Sequence, residues 1–230
     1  MTHVKSNAHL PAEDPLLWVP RLLTKANSIW LKGTYPFDEC GHKVSIHYSC
    51  EIRRFYAHKI RIGDSVTLHR DVWLNVPVIP AGSEPAIVIG RGSRVGRRSV
   101  ITAMNQICIG DDVLMAPGVF ITDHNHGYSD VNEPIVGQGL TSGGRIIIER
   151  NCWLGYCSMI IATKNEVVIG RNSVVGAHSI VTQSCPPYSV LAGNPAEVVK
   201  RFDTVSGTWL QCKNREQSKD WTDASSGGKA

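Results

Sequence analysis

Aliphatic residues recur every six positions through the middle of the chain, and a glycine follows the aliphatic residue at seven of these places. Five sets of three result: Ile62, Leu68, Leu74; Ile89, Val95, Ile101; Ile109, Met115, Ile121; Ile148, Leu154, Ile160; and Ile169, Val175, Val181. A period of six matches neither the 3.6 residues of a helical turn nor the two-residue alternation of a simple strand. The pattern predicts a triangular prism. Each six-residue unit supplies one short strand and one turn, three units form a coil, and the aliphatic side chains stack inside.

Two long interruptions of this period mark inserted loops, because a coil of this kind accommodates extra residues only at its corners. The first covers 75–86 and carries three prolines, and the second covers 122–145 and is polar and glycine-rich. We therefore expect an all-β fold in which a parallel β-helix covers 61–195 and these two loops project from it.

The two ends of the chain lack the six-residue period. Residues 1–60 are predicted to form an N-terminal cap on the open end of the prism, with a short helix inside 11–32. Residues 196–230 are predicted to form a short C-terminal helix that starts within 198–202, followed by a polar tail that frays beyond about residue 213.

The composition agrees with a β-rich protein that carries little net charge. The chain holds 20 Ile and 23 Val against 13 Leu, and β-branched side chains favour pleated surfaces. The net charge is +4. The densest basic cluster, Arg91, Arg94, Arg97 and Arg98, alternates with other residues of the repeat, which indicates a solvated face rather than a nucleic-acid-binding surface.

The hydropathy of the chain and its cysteines indicate where the protein is located in the cell. No stretch approaches the roughly 18 apolar residues of a membrane span, and the first ten residues lack the apolar run of a signal peptide, so we expect a cytoplasmic protein. Seven cysteines, an odd number without any C-x-x-C pair, are interpreted mostly as small buried apolar side chains rather than metal ligands.

Three stretches carry a resemblance to a known family. They are T-D-H-N-H-G at 122–127, I-E-R-N-C-W-L-G at 148–155, and the segment 175–202, which contains A-G-N-P-A after a Pro-Pro turn. With the six-residue repeat, they resemble the hexapeptide-repeat acetyltransferases, which include galactoside and maltose O-acetyltransferases and sugar O-acetyltransferases of polysaccharide clusters. The resemblance implies a left-handed β-helix and a homotrimer with active sites between subunits. It also implies acetyl-CoA as donor, a sugar or saccharide hydroxyl as acceptor, and no metal.

The loop 122–127 supplies the candidate base for this reaction. Neutral histidine can take the hydroxyl proton as the oxygen attacks the thioester. His126 falls sixteen residues after Gly110, where the galactoside enzymes carry their base, so the resemblance favours His126 over His124. Asp123 or Asp130 could orient an imidazole.

The remaining site residues belong to the acceptor and the cofactor. On the acceptor side, Asn75 and Asn105 are polar residues that could hydrogen-bond sugar hydroxyls or serve as turn residues, and we also expect Asp123 and His124 there. Direct attack by the acceptor needs no protein nucleophile, and an acetylated Cys157 is the alternative. The resemblance implies the cofactor set: Trp153 beside the pantetheine arm, the backbone of Tyr156, Ala177 and Thr182 along it, Gln183 where many relatives carry Lys, and Lys200 and Arg201 at the phosphates.

Other functions are compatible with parts of this pattern. Within the enzyme class, an N-acetyltransferase of an amino sugar or a xenobiotic acetyltransferase would use the same donor. A γ-type zinc carbonic anhydrase shares the prism and binds zinc through three histidines, for which His69, His124, His126 and His178 are available. A non-catalytic scaffold or sugar-binding module is the third alternative.

Overall fold

The computed structural model of the protein describes residues 17–78, 82–141 and 143–212. Its short strands build a left-handed parallel β-helix with three flat faces. Face A consists of β1 (Glu39–Cys40), β4 (Ile60–Ile62), β7 (Ile87–Ile89), β10 (Gln106–Ile109), β13 (Arg145–Ile148) and β16 (Glu166–Ile169). Face C consists of β3 (Glu51–Ile52), β6 (Trp73–Asn75), β9 (Val100–Thr102), β12 (Phe120–Thr122), β15 (Met159–Ile161) and β18 (Ile180–Val181).

Face B extends furthest along the chain. It consists of β2 (Ser45–Ile46), β5 (Thr67–Leu68), β8 (Arg94–Val95), β11 (Leu114–Met115), β14 (Trp153–Leu154), β17 (Val174–Val175), β19 (Ser189–Gly193), β20 (Ala196–Asp203) and β21 (Thr208–Gln211). Pairing along this face is parallel as far as β19, and β20 and β21 then add in antiparallel order.

The core of the prism consists of the residues that the six-residue period predicts. All fifteen aliphatic positions are buried, each at most 2% exposed, and equivalent residues stand in register between neighbouring coils. The interior thus forms three stacked columns of mostly β-branched side chains, one behind each face. The predicted fold class is confirmed.

The prism begins earlier than the boundary predicted at residue 61. Cys40, Ile46 and Ile52 pair with Ile62, Leu68 and Leu74, so a complete coil precedes the first predicted one. Its pattern is harder to see in the sequence because a cysteine replaces the aliphatic residue of face A, although Gly41 follows it as in later coils. Only α1 (Trp18–Thr34) and the turn after it remain as a described N-terminal cap.

Helix α1 packs on β2 mainly through polar contacts. The Ser28 hydroxyl accepts a hydrogen bond from the Ile46 amide at 2.9 Å, the Asn27 amide donates to the Ile46 carbonyl, and Leu31 is buried against the coil. The outward side of the helix exposes Trp18, Leu22 and other apolar residues. A helix was expected inside 11–32, and residues 11–16 of that range lie outside the described part.

The predicted C-terminal helix is wrong. Residues 198–202 lie in β20, which pairs with β19 on one side and β21 on the other. Two physical reasons favour a strand here: Val198 and Val199 are β-branched, and the edge of face B offers backbone partners that a helix would leave unpaired. The tail expected beyond residue 213 lies outside the described residues.

Two loops leave the prism at one corner, where face C passes into face A. The chain departs after β6 and returns at β7, and it departs again after β12 and returns at β13. The second loop holds a 3-10 helix at Ile135–Gly137 and a bridge between His126 and Leu140. Residues 79–81 and 142 lie outside the described part. In the described ranges, no helix combines the length and the apolar character that crossing a membrane requires.

Candidate active site

A groove of about 670 Å³ lies on face C beside the second loop. Outward-facing residues of β6, β9 and β12 form its floor, and the start of the loop forms its wall. We call it the histidine groove; its polar lining residues include Asn75, Thr102, Thr122, His124, Asn125 and His126. The predicted acceptor residue Asn75 and both candidate histidines therefore line one cavity.

Asp123 is the buried centre of this site. Its carboxylate is 0% exposed and accepts hydrogen bonds from the backbone amides of Met104 at 2.7 Å and Asn105 at 2.8 Å. One carboxylate oxygen also lies 2.9 Å from Nδ1 of His124. Because an ionised carboxylate only accepts hydrogen bonds, the His124 proton belongs on Nδ1, and Nε2 is left with a lone pair. The aspartate therefore fixes both the orientation and the tautomer of His124.

His126 is held differently from His124. Its backbone amide donates to the Asn125 side-chain oxygen at 3.0 Å. Its backbone also forms an antiparallel bridge with Leu140 across the loop. Its side chain is exposed, and no hydrogen bond to its imidazole is seen within the described ranges. The sequence argument favoured His126, whereas the local geometry orients His124.

The two predicted asparagines have different surroundings. The Asn75 amide donates to the Thr102 hydroxyl at 3.0 Å, within the histidine groove. The Asn105 amide donates to the Gly144 carbonyl at 3.0 Å, and this bond holds the end of the second loop against the coil. Asn105 thus acts on the site through the loop and through its backbone bond to Asp123.

Trp73 lines the histidine groove and was missed by the sequence argument. Its indole N–H is buried, and it has no hydrogen-bond partner among the residues that the structure describes. A buried donor without a partner costs free energy, and because this N–H is closed to solvent, Trp73 contributes to the groove as a lining aromatic residue. The available signal was a tryptophan next to the inward residue Leu74, at an outward position of a six-residue unit.

The predicted cofactor residue Trp153 lies on another face of the prism. On face B, Leu114, Trp153, Val174 and Val190 stand in register on successive strands and point outward. We call these four residues the apolar strip. Leu114 and Trp153 are 49% and 50% exposed. Lys200 pairs with Val190 and ends the strip on its C-terminal side.

The other predicted cofactor residues surround this strip only in part. Tyr156 and Ala177 lie at the corner between faces B and C, where the Tyr156 ring contacts His178 edge to face. Thr182 and Gln183 are exposed at the next corner, after β18. Arg201 is only 8% exposed, and burial lowers the pKa of its guanidinium.

The cysteines are all free thiols within the described residues. Burial raises the pKa of both Cys50 and Cys152 to about 11, so these two are protonated at neutral pH. Cys157 is half-buried at the corner between faces B and C. In the described ranges, no three His, Cys, Asp or Glu side chains are grouped as a metal site would require.

Comparison with known proteins finds acetyltransferases. No family model matches the chain. The chain is 33% identical over 115 residues to the protein named lipopolysaccharide biosynthesis O-acetyl transferase WbbJ, and 34% over 138 residues to galactoside O-acetyltransferase, both of Escherichia coli K12. It is 31% identical over 161 residues to the protein named acetyltransferase Rv3034c of Mycobacterium tuberculosis.

The matched regions cover 47%, 60% and 70% of this chain in the same order. They cover 57%, 64% and 48% of the three relatives, so the chain spans less than two-thirds of each. Among solved structures, AntD, an N-acyltransferase from Bacillus cereus, superposes with a TM-score of 0.58 at 17% identity, over 84% of this chain and 89% of AntD. At that identity the likeness concerns the fold.

Proposed function

We propose, from the premise that this chain is a homologue of the hexapeptide-repeat acetyltransferases, that it transfers an acetyl group from acetyl-CoA to a hydroxyl group of a sugar or saccharide. The observation that carries this proposal is the Asp123–His124 pair at the histidine groove. It provides an oriented imidazole whose free nitrogen can accept a proton, in a groove where Asn75 offers a polar contact and Trp73 an aromatic wall to an acceptor.

The proposed reaction is a direct transfer assisted by a histidine base. Nε2 of His124 removes the acceptor proton as the hydroxyl oxygen attacks the thioester carbonyl carbon. The tetrahedral intermediate then collapses, the carbon–sulfur bond breaks, and the proton passes from the imidazolium to the CoA thiolate. The Asp123 carboxylate stabilises the imidazolium between these two proton transfers. His126, the base expected from the sequence, lines the same groove and is the alternative proton acceptor.

The donor is proposed to lie along the apolar strip of face B. The pantetheine arm would pass the Trp153 indole and run toward Lys200, whose ammonium would meet the phosphates. Tyr156, Ala177, Thr182 and Gln183 would flank it at the corners. We assign the phosphate contact to Lys200 rather than to Arg201, because the Arg201 guanidinium is largely buried.

The histidine groove and the apolar strip lie on different faces of the same chain, which supports a homotrimer as part of the proposal. In a closed threefold assembly, face C of one protomer can meet face B of the next. Each active site would then combine a base from one chain with a donor strip from its neighbour. The outward apolar residues of both faces supply a surface for that contact.

We also propose a cytoplasmic location and a role in polysaccharide modification. Seven free cysteines agree with a reducing compartment, which is also where acetyl-CoA would be supplied. A role in polysaccharide modification follows from the name of the first relative in Escherichia coli and is carried to this chain as a proposal.

The test compares His124→Ala with His126→Ala, with acetyl-CoA, a panel of sugar hydroxyl and amine acceptors, and detection of free CoA thiol. Loss of a positioned base lowers the rate by about 10² to 10⁴. We expect this loss for His124→Ala, a smaller effect for His126→Ala, and unchanged CoA affinity in both. A large loss confined to His126→Ala would assign the base to His126, and undiminished transfer by both variants would remove the histidine mechanism.

A further inference from the structure

A second groove, of about 480 Å³, lies on face B at the N-terminal end of the apolar strip. We call it the arginine groove. Its charged and titratable lining residues are His47, His69, Arg70, Arg94 and Arg97, and Leu114 and Trp153 form its apolar wall. No aspartate or glutamate is among its lining residues.

The arginines of this groove have no carboxylate partners among the described residues. Arg61, Arg91, Arg98 and Arg145 each form an ion pair with a neighbouring acid. Across the described part of the chain, no such pair is formed by Arg70, Arg94 or Arg97. Three arginines thus line one cavity, and no described residue supplies a counter-charge.

The electrostatic effect of this arrangement is visible at His69. Burial lowers the pKa of the His69 imidazole, and the positive charge of Arg94 and the neighbouring His47 lower it further. A cationic imidazole is disfavoured there first by burial and then by the positive field of the neighbouring groups. The same field favours a bound anion, and the planar guanidinium fork matches the two oxygens of a carboxylate or a phosphate.

The position of the groove along face B separates it from the proposed phosphate contact. Arg94 pairs with Leu114, which pairs with Trp153, so Arg94 stands two strands to one side of Trp153. Lys200 stands three strands to the other side, through Val174 and Val190. With neighbouring strands about 4.8 Å apart, Arg94 lies about 10 Å from Trp153 and about 24 Å from Lys200.

This order along the face identifies what the arginines can bind. If the nucleotide end of CoA lies at Lys200 and the pantetheine arm passes Trp153, the acyl group points toward the arginine groove. The CoA phosphates then lie at the opposite end of the strip, so an anion in the arginine groove must belong to the other substrate. A distance of about 10 Å from Trp153 is within reach of a small saccharide.

We propose that the acceptor is anionic, a saccharide that carries a carboxylate or a phosphate group, and that Arg94 and Arg97 bind this group in the arginine groove. The inference rests on the proposed acetyl transfer and deepens it, since it specifies the chemical class of the acceptor. Arg70 and His69 complete the positive lining.

The kinetic test compares matched acceptors and matched variants. Wild-type protein is assayed with acetyl-CoA and two pairs of sugars, glucuronic acid against glucose and galactose 6-phosphate against galactose. We expect at least one anionic sugar to have a kcat/KM about tenfold or more above its neutral partner, since bonds between charged groups contribute strongly. The double variant Arg94→Gln and Arg97→Gln should remove this preference. Arg91→Gln, which alters an arginine already paired with Asp111, should retain it.

A binding test judges the groove independently of the reaction. The His69 imidazole is titrated by NMR in the presence of glucuronic acid, galactose 6-phosphate or glucose. A bound anion should raise the His69 pKa in the wild type but not in the double variant, and glucose should leave the pKa unchanged. If no acceptor is acetylated but the His69 pKa rises with the anionic sugars, the anion site is supported and the proposed acetyl transfer is contradicted.

Two results would overturn the proposal. Equal kcat/KM values for charged and neutral sugars, with no change of the His69 pKa, would show that the groove does not bind an anionic acceptor. A loss of CoA affinity in the double variant as large as its loss of kcat/KM, measured by calorimetry with CoA, would assign the arginines to the CoA phosphates instead.

Discussion

Asp123 concentrates several functions in one buried side chain. Its oxygens accept from two backbone amides of the preceding coil and from the His124 imidazole. The carboxylate therefore links the start of the second loop to the turn at Met104 and Asn105, and the same atoms orient the proposed base. A buried charge is retained in a fold when hydrogen bonds satisfy it, and here three N–H groups do so.

Replacing Asp123 by Asn tests the positioning role. The amide offers one acceptor oxygen and places an NH₂ group against N–H donors, so we expect unfolding free energy to fall by about 1–3 kcal/mol. We expect kcat/KM to fall by about 10² or more, because the His124 tautomer is no longer fixed. The loss should fall on kcat, and the KM values should change little, because the Asp123 carboxylate is buried beneath the groove.

The control for this substitution is Asp130→Asn in the same loop. Asp130 is exposed and accepts from the Asn132 amide, and its replacement should leave kcat unchanged. Thermal unfolding and separate kcat and KM values measure the two effects. A variant Asp123→Asn that is less stable but keeps the wild-type kcat would reduce Asp123 to a structural role.

The sequence predicts the histidine pair but not the difference between its members. His124 and His126 lie on either side of Asn125 in one polar loop, and a nearby aspartate is available to either. The difference arises from contacts between coils, because Asp123 is buried by amides that lie 18 and 19 residues earlier. Such non-local contacts leave no local pattern in the chain.

At the scale of the coil, the sequence predicts the coils that keep the six-residue pattern and misses the elements that depart from it. The five predicted coils follow from inward aliphatic residues with glycine beside them. The sequence does not predict the first coil, because Cys40 takes the place of the inward aliphatic residue. It does not predict strand β20, because the valines of that strand follow no six-residue period. The strand identity of β20 depends on the open edge of face B, which exists only once the prism has formed.

Corner glycines are predicted to be essential where two coils approach closely. A Cβ added to Gly90 would lie 2.6 Å from the Asp111 amide nitrogen and against the Gly110 carbonyl carbon, both of them backbone atoms of the next coil. Because backbone cannot move aside as a side chain can, Gly90→Ala should reduce the unfolding free energy by about 1–3 kcal/mol. Chemical denaturation followed by circular dichroism measures this change.

Gly33→Ala provides the matched control. Gly33 is exposed in the last turn of α1, and an added Cβ would meet no atom within 4 Å. Alanine is the better helix former, so this variant should be unchanged or more stable by up to about 1 kcal/mol. A loss for Gly33→Ala equal to that for Gly90→Ala would show that the effect is not due to the spacing of the coils.

For the whole molecule, the division of the proposed site between two faces predicts that a single chain is inactive. The proposed base lies on face C and the proposed donor strip on face B, so in the proposed trimer each site would combine face C of one chain with face B of another. We expect sedimentation to give a mass three times the 25.2 kDa of the chain. We also expect variants of the two halves to complement each other within mixed trimers.

Co-expression of His124→Ala with Trp153→Ala tests this arrangement. Each variant alone should be nearly inactive, because every site lacks either the base or the indole beside the pantetheine arm. In mixed trimers, a site that joins face C of a Trp153→Ala chain to face B of a His124→Ala chain is intact, and random assembly yields about a quarter of all sites in this form. His124→Ala with Asp123→Asn, two changes on one face, should show no such recovery. Activity that stays at the level of the separate variants would place the whole site within one chain and remove the shared-site trimer.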